Sequence, residues 1–179
     1  MSKDATCYFY RRGWRGIKLE LSPRTERCFR RLPPRGITPR CGVAAKPGVL
    51  SYHAFNEKAL NTFPVEEAAK NAQGEHRLIA WTWTWISIRR RDDPLNQHML
   101  AGTAIDFTTV DAERLDFETV VSNSRQRDRP RYELVELLNT CPAGILTHTA
   151  SLFLADHGDR ACAESLKTVF FVDNRGAAT

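Results

Sequence analysis

The chain lacks the features that would name a function outright. It has no Gly-x-Ser-x-Gly, no Gly-Lys-Ser/Thr phosphate loop and no His-Glu-x-x-His, so the common hydrolase, nucleotide and metalloprotease signatures are missing. It has no Cys-x-x-Cys. Its five cysteines, Cys7, Cys28, Cys41, Cys141 and Cys162, are an odd set, which reads as reduced thiols rather than a disulfide framework. No apolar run approaches the roughly 18–20 residues of a membrane span. The first residues hold no apolar signal segment, so the expected setting is the cytoplasm, or a ribonucleoprotein particle or virion, without a cleaved signal peptide. No sequence repeat is visible.

Charge is present, and it is unevenly spread. Residues 1–47 hold 12 Lys/Arg against 3 Asp/Glu, a net of +9, while the remainder is mildly acidic and the whole carries +5. Such asymmetry points to a polyanionic partner. Arg outnumbers Lys 20 to 6, and guanidinium forks both pair with phosphate and stack on bases. A GC-rich coding sequence would give the same Arg, Ala and Pro bias with no binding role.

Residues 1–47 read as a basic, Arg/Pro-rich arm. Cys7–Tyr10 and Ile17–Leu21 have the composition of short strands. Beyond Pro23 the pattern dissolves around Pro33, Pro34, Pro39 and Pro47, which interrupt helix and ladder alike. Arg11, Arg12, Arg15, Arg24, Arg27, Arg30, Arg31, Arg35 and Arg40 are interleaved with Tyr8, Phe9, Tyr10, Trp14 and Phe29. Rings and guanidinium planes stack on RNA bases while the charges meet phosphates. The competing reading is a tail that packs its aromatics on its own domain or on another subunit.

Residues 48–179 read as one β-rich domain. Its clearest stretch is LIAWTWTWISI, Leu78–Ile88, where period-two alternation predicts a strand. Trp81, Trp83 and Trp85 share one face, and Arg89, Arg90 and Arg91 follow. Three tryptophans exceed what a soluble surface usually shows, so this face is expected in the core. Exposed, it would be a stacking platform, and Trp83 joins the candidate RNA-binding residues on that ground. Val49–Phe55 is a strand and Pro64–Ala72 a short helix with Pro in its first turn. Asp92–His98 reads as a polar loop. Met99–Val110 alternates again and should close an antiparallel hairpin with the tryptophan strand. Leu115–Val121 reads as a third strand, Arg131–Asn139 as a short helix, Ile145–Leu154 as a strand with some helical character, Arg160–Leu166 as a helical turn and Thr168–Val172 as a last strand. Arg125, Arg127 and Arg129 alternate in a second basic loop. The expected fold is therefore α+β and β-rich, an antiparallel sheet or β-sandwich with two or three short helices behind an extended basic N-terminal arm.

Catalytic and metal chemistry are weakly supported. Cys141, His148, His157 and Cys162 follow a C-x6-H-x8-H-x4-C order that matches no usual zinc spacing. Cys141 with either histidine would be a dyad only if the fold joined them. Asp92, Asp93 and Asp106 read as solvated loop and strand positions rather than a Mg²⁺ site. No cofactor is expected. The reading that results is a non-enzymatic RNA-binding structural protein, a small coat protein or a ribonucleoprotein subunit, touching phosphates through its arginines and contacting further protein subunits but no membrane. The alternatives are a protein-interaction subunit without nucleic acid, and a small metal-dependent hydrolase or nuclease.

Overall fold

The computed structural model describes residues 9, 11–21, 36–56, 60–73, 81–112, 115–125, 129–136, 145–164 and 168–174, with backbone alone at 81–82 and 145–148. Among them are nine strands and four helices, in the order β1 (Gly16–Ile17), β2 (Gly36–Ile37), β3 (Gly42–Val43), β4 (Gly48–Phe55), α1 (Val65–Gln73), β5 (Trp81–Arg89), α2 (Asp92–His98), β6 (Ile105–Val110), α3 (Asp116–Val121), β7 (Pro130–Glu136), α4 (Ile145–Asp156), β8 (Asp159–Glu164) and β9 (Thr168–Asp173). The chain is mixed α and β, rich in strand, with open sheets. Three sheets form: β1-β2, β3-β5-β4 and β6-β7-β9-β8. Among the described residues, no helix is long and apolar enough to cross a membrane.

The sheets are not purely antiparallel. β5 pairs antiparallel with β4 but parallel with β3. β6 pairs parallel with β7, which runs antiparallel to β9. The expected hairpin between the tryptophan strand and Met99–Val110 is absent, because α2 and a turn at Ala101–Gly102 carry the chain away to the other sheet. Residues 92–98 are helical rather than loop. Asp92, Asp93 and Pro94 are turn-formers, but they equally suit a helical first turn, where the carboxylates face the positive end of the dipole.

In the four-stranded sheet, residues paired across strands share a face. Val110, Val135, Val169 and Phe171 point to one side, where Val120 of α3 and Ala150 and Leu154 of α4 close over them. This pattern explains two departures. Residues 116–121 alternate like a strand, yet they form a helix whose Val120 enters this core. Residues 130–136 have helical-looking Leu and Val pairs, yet they form a strand with Glu133 and Val135 inward. Residues 145–156 are helix, and residues 159–164 are a strand rather than a helical turn.

The three-stranded sheet buries the face opposite to the one expected. Tyr52, Ile86 and Ile88 meet Ala44 and Phe63 in a second core, with Leu21 and Leu115 against it. The other face carries Trp83 and Trp85, which are 56% and 63% exposed. Phe9 lies in a helical turn, not a strand, and the Arg12 and Trp14 amides both donate to its carbonyl; Cys7, Tyr8 and Tyr10 lie outside the described residues. Residues 16–20 run beside 36–39, and residues 42–43, within the basic stretch, join β5 as β3.

Ile86 and Trp83 therefore have opposite weights. Ile86→Ala should lower stability by about 2–5 kcal/mol, and Trp83→Ala should change it by less than about 1 kcal/mol, as for surface positions. Urea unfolding of both variants checks this, and equal losses would put the tryptophans inside.

Candidate nucleic-acid interface

Alternation along β5 puts Trp83, Trp85, Ser87 and Arg89 on one side. Across the antiparallel ladder, Ser51 stands beside Trp85 and His53 beside Trp83. At one end residues 61–62 run along the outer edge of β4, where Thr62 pairs with His53 and Asn61 Oδ1 accepts from the Phe55 amide, and both His53 and Phe55 are buried. The other end is open. There the two indoles meet edge to face, 5.6 Å apart and 81° inclined. Edge-to-face contact leaves most of each ring's surface available to a planar partner. Ser51 Oγ lies 3.3 Å from His53 Nε2. Arg89 extends the face and donates to Gln97 Oε1 at 2.9 Å.

The arginines divide sharply. Arg11, Arg12, Arg15, Arg40 and Arg89 are exposed. Arg90 is half-buried, donating to the Ala45 carbonyl and pairing with Asp92. Arg91, Arg125 and Arg129 do not form a phosphate-facing surface; their guanidinium groups are committed to carboxylates inside the protein. Arg91 and Arg125 grip the two oxygens of Glu133, Arg125 also pairs with Asp159, and Arg129 bridges Asp159 and Asp173 at 2.9 and 3.3 Å. Arg125 adopts a left-handed backbone, φ 55°, with its amide on Asn123 Oδ1. A non-glycine residue is held there only when its surroundings fix it. Arg24, Arg27, Arg30, Arg31, Arg35 and Arg127 lie outside the described residues.

Two neighbouring carboxylates differ in this network. Burial alone would raise Glu133, but Arg91 and Arg125 more than offset it and hold its carboxyl low. At Asp159 burial dominates and pushes the carboxyl up against the pull of Arg125 and Arg129. A third acid, Asp116, sits outside the network at the start of α3. Burial raises it to about 7, helped by Asp111 and Glu136, although the Ala112 amide donates to it at 2.7 Å.

Two of the weak metal candidates, Cys162 and His157, have described side chains. Cys162 is exposed at a bulge in β8 with its thiol 3.5 Å from the Phe170 carbonyl. His157 follows α4, its Nδ1 2.7 Å from the Phe153 carbonyl. His148 is on α4 by its backbone, and Cys141 is outside the described residues. Asp92 accepts from the Ser124 amide and Asp93 from the Arg90 amide. Among the described residues, no three His, Cys, Asp or Glu side chains converge as a metal site. Burial pushes the Cys41 thiol up, which makes it a poor nucleophile.

Sequence reasoning missed Trp85, which the row of three had placed in the core, and the aromatics Tyr132 and Phe170 on the other sheet. Alternation alone could have found their faces; their exposure depended on where the helices pack. Comparison with family models, curated proteins and solved structures finds no match for this chain.

Two measurements follow from the buried charges. Glu133→Ala leaves Arg91 without its carboxylate in the interior and Arg125 with Asp159 alone, and should cost about 3–5 kcal/mol in chemical unfolding; a loss below about 1 kcal/mol would show the network to be solvated. Asp116 keeps its proton in the folded chain up to about pH 7, whereas the unfolded chain releases it near pH 4. Stability should fall as pH rises between those values. Asp116→Asn should remove that part of the decline and raise the urea midpoint at pH 8 relative to wild type, with little change at pH 4.

Proposed function

We propose that this chain is a non-enzymatic RNA-binding structural protein, a subunit of a ribonucleoprotein assembly or coat. The observation that carries the reading is the exposed pair Trp83 and Trp85 on one sheet face, continued by Arg89. Tryptophans on a solvent face carry a large apolar cost unless a partner covers them. A single-stranded nucleic acid suits them, because bases stack on indole whatever their sequence and guanidinium groups neutralise the adjoining phosphates. The exposed Arg11, Arg12, Arg15 and Arg40 supply further positive charge. The contacts are to phosphates and ring faces, so binding is tolerant of sequence.

A second reading, a protein-interaction subunit without nucleic acid, draws on the exposed Val49 and Leu50 of β4, an outer strand beside a shallow groove lined by Ala44, Pro47 and Ile88. Salt separates the two, since counterion release makes phosphate binding fall steeply with ionic strength. The test is fluorescence anisotropy with labelled oligouridine at two salt concentrations. Wild type should bind and weaken at high salt, and Trp83→Ala/Trp85→Ala should weaken binding tenfold or more at unchanged thermal stability, since stacking contributes about 1–3 kcal/mol per base. Wild-type affinity in the double variant removes the tryptophan pair from the interface, and no binding at low salt refutes the RNA reading.

A further inference from the structure

Both helices of the four-stranded unit lie on one side of its sheet. α3 and α4 cover Val110, Val135, Val169 and Phe171. The opposite face is set by the same register. Phe107, Tyr132, Val172 and Arg160 are neighbours across all four strands, and Thr109, Leu134, Phe170 and Ala163 form the next row. With strands about 4.8 Å apart, the first row spans about 14 Å. Tyr132 and Phe170 are 39% and 37% exposed. Leu134 and Val172 are half-buried between them, so the face is apolar and wide rather than a scatter of single side chains.

Charge tells what this face would accept. Arg160 is exposed within the first row, and the Arg131 guanidinium lies 5.4 Å from the Tyr132 ring centroid. The one carboxylate among the described strand positions of this face is Glu136, at the end of β7. The Phe9 ring already rests on Phe107, centroids 4.9 Å apart, with Trp14 at 4.8 Å behind it. The same turn carries the exposed Arg11 and Arg12, and the exposed Arg15 follows it. The Phe107 end thus has a ring of this chain tilted against it, while Tyr132, with the Arg131 guanidinium over its ring, and Phe170 each keep over a third of their surface exposed.

We infer that the open face of the four-stranded sheet is a second RNA platform, on which single-stranded bases stack upon Tyr132 and Phe170 while Arg160 and Arg131 meet the phosphates. The inference rests on the RNA-binding reading but uses a different sheet and different rings. A sheet that is covered by helices on one side and shows aromatic rings on the other can hold two or three splayed bases. The Phe9–Trp14 turn forms its wall.

The test uses the full chain, an oligouridine of about 20 nucleotides carrying 4-thiouridine, and four proteins: wild type, Trp83→Ala/Trp85→Ala, Tyr132→Ala/Phe170→Ala and Arg160→Glu. Affinity is read by anisotropy, adducts by peptide mapping after irradiation, and mass by light scattering. Tyr132→Ala/Phe170→Ala should weaken binding at least tenfold and lose adducts on the β7 and β9 peptides, while adducts on the β5 peptide persist. Arg160→Glu, at an exposed position, should weaken binding several-fold even if the aromatic double variant fails to fold. Wild-type affinity in both variants, with adducts on β5 alone, overturns the second platform and leaves the tryptophan reading intact. Loss of binding in Tyr132→Ala/Phe170→Ala but not in Trp83→Ala/Trp85→Ala supports this face and refutes the tryptophan pair. A wild-type dimer that Arg160→Glu converts to monomer with RNA affinity unchanged makes the occupant a second copy and overturns the inference. Absence of binding by wild type overturns both.

Discussion

The buried grip of Arg91 and Arg125 on Glu133 is the constraint on which the rest of the molecule depends. Arg91 follows β5 of the three-stranded sheet, Glu133 belongs to β7 of the four-stranded sheet, and Arg125 precedes β7 and reaches on to Asp159 at the start of β8. Desolvating such charges is costly, and close pairing with the carboxylates offsets it, although among the described residues Arg91 Nη2 and Arg125 Nε are buried without a hydrogen-bond partner. The three guanidinium groups and the three carboxylates of Glu133, Asp159 and Asp173 balance. Around them the backbone is fixed by polar side chains: the Arg91 amide donates to Ser122 Oγ, and Ser122 Oγ donates to the Thr119 carbonyl. Thr119 Oγ1 in turn donates to the Val43 carbonyl, so α3 is tied to both sheets.

With the sheets joined through charge and α3, each keeps one side for its own core and leaves much of the other open. Tyr52, Ile86 and Ile88 face inward on one sheet while Trp83 and Trp85 face out; Val135 and Phe171 face inward on the other while Tyr132 and Phe170 face out. Trp83, Trp85, Tyr132 and Phe170 thus sit outside both cores. Arginine serves two physical roles in the same chain. Arg91, Arg125 and Arg129 are structural cations paired with carboxylates inside the protein, while Arg89 and Arg160 stay exposed on the open sheet faces.

The strands β4, β5 and β9 and the helix α1 were legible because each carries a local signal, alternation or a proline at a first turn, that tertiary packing did not override. α3 and β7 were misread for the reverse reason. Leu115–Val121 alternates and is β-branched, yet Val120 and Leu115 had to serve two different cores, which a helix allows. β7 places Leu134 on the open face and Val135 in the core, so apolar residues stand side by side as they would on a helix. α4 scatters Thr147, His148, Thr149 and Ser151 among its apolar residues, so it has no clear helical period to read. The alternating arginines at 125, 127 and 129 looked like a solvated loop because the acids that capture Arg125 and Arg129 come later, from β7, β8 and β9. The tryptophan row was recognised as a face, but which way it turned depended on a core assembled from Ala44, Tyr52 and Phe63.

The separation in sequence of the paired charges has a kinetic side. Arg91 is 42 residues from Glu133, and Arg125 is 34 from Asp159. Parallel pairing of β6 with β7 adds another contact that no tight turn can make. Loop closure must therefore precede the reward from these contacts, which places the chain among slow-folding topologies. Until β7 and β8 are in place Glu133 and Asp159 cannot meet the arginines, and the buried clasp stays open. Once closed, it leaves neither sheet free to open alone, so local fluctuations should be confined to the loops and the outer strands, while the paired interior exchanges only when the whole chain unfolds.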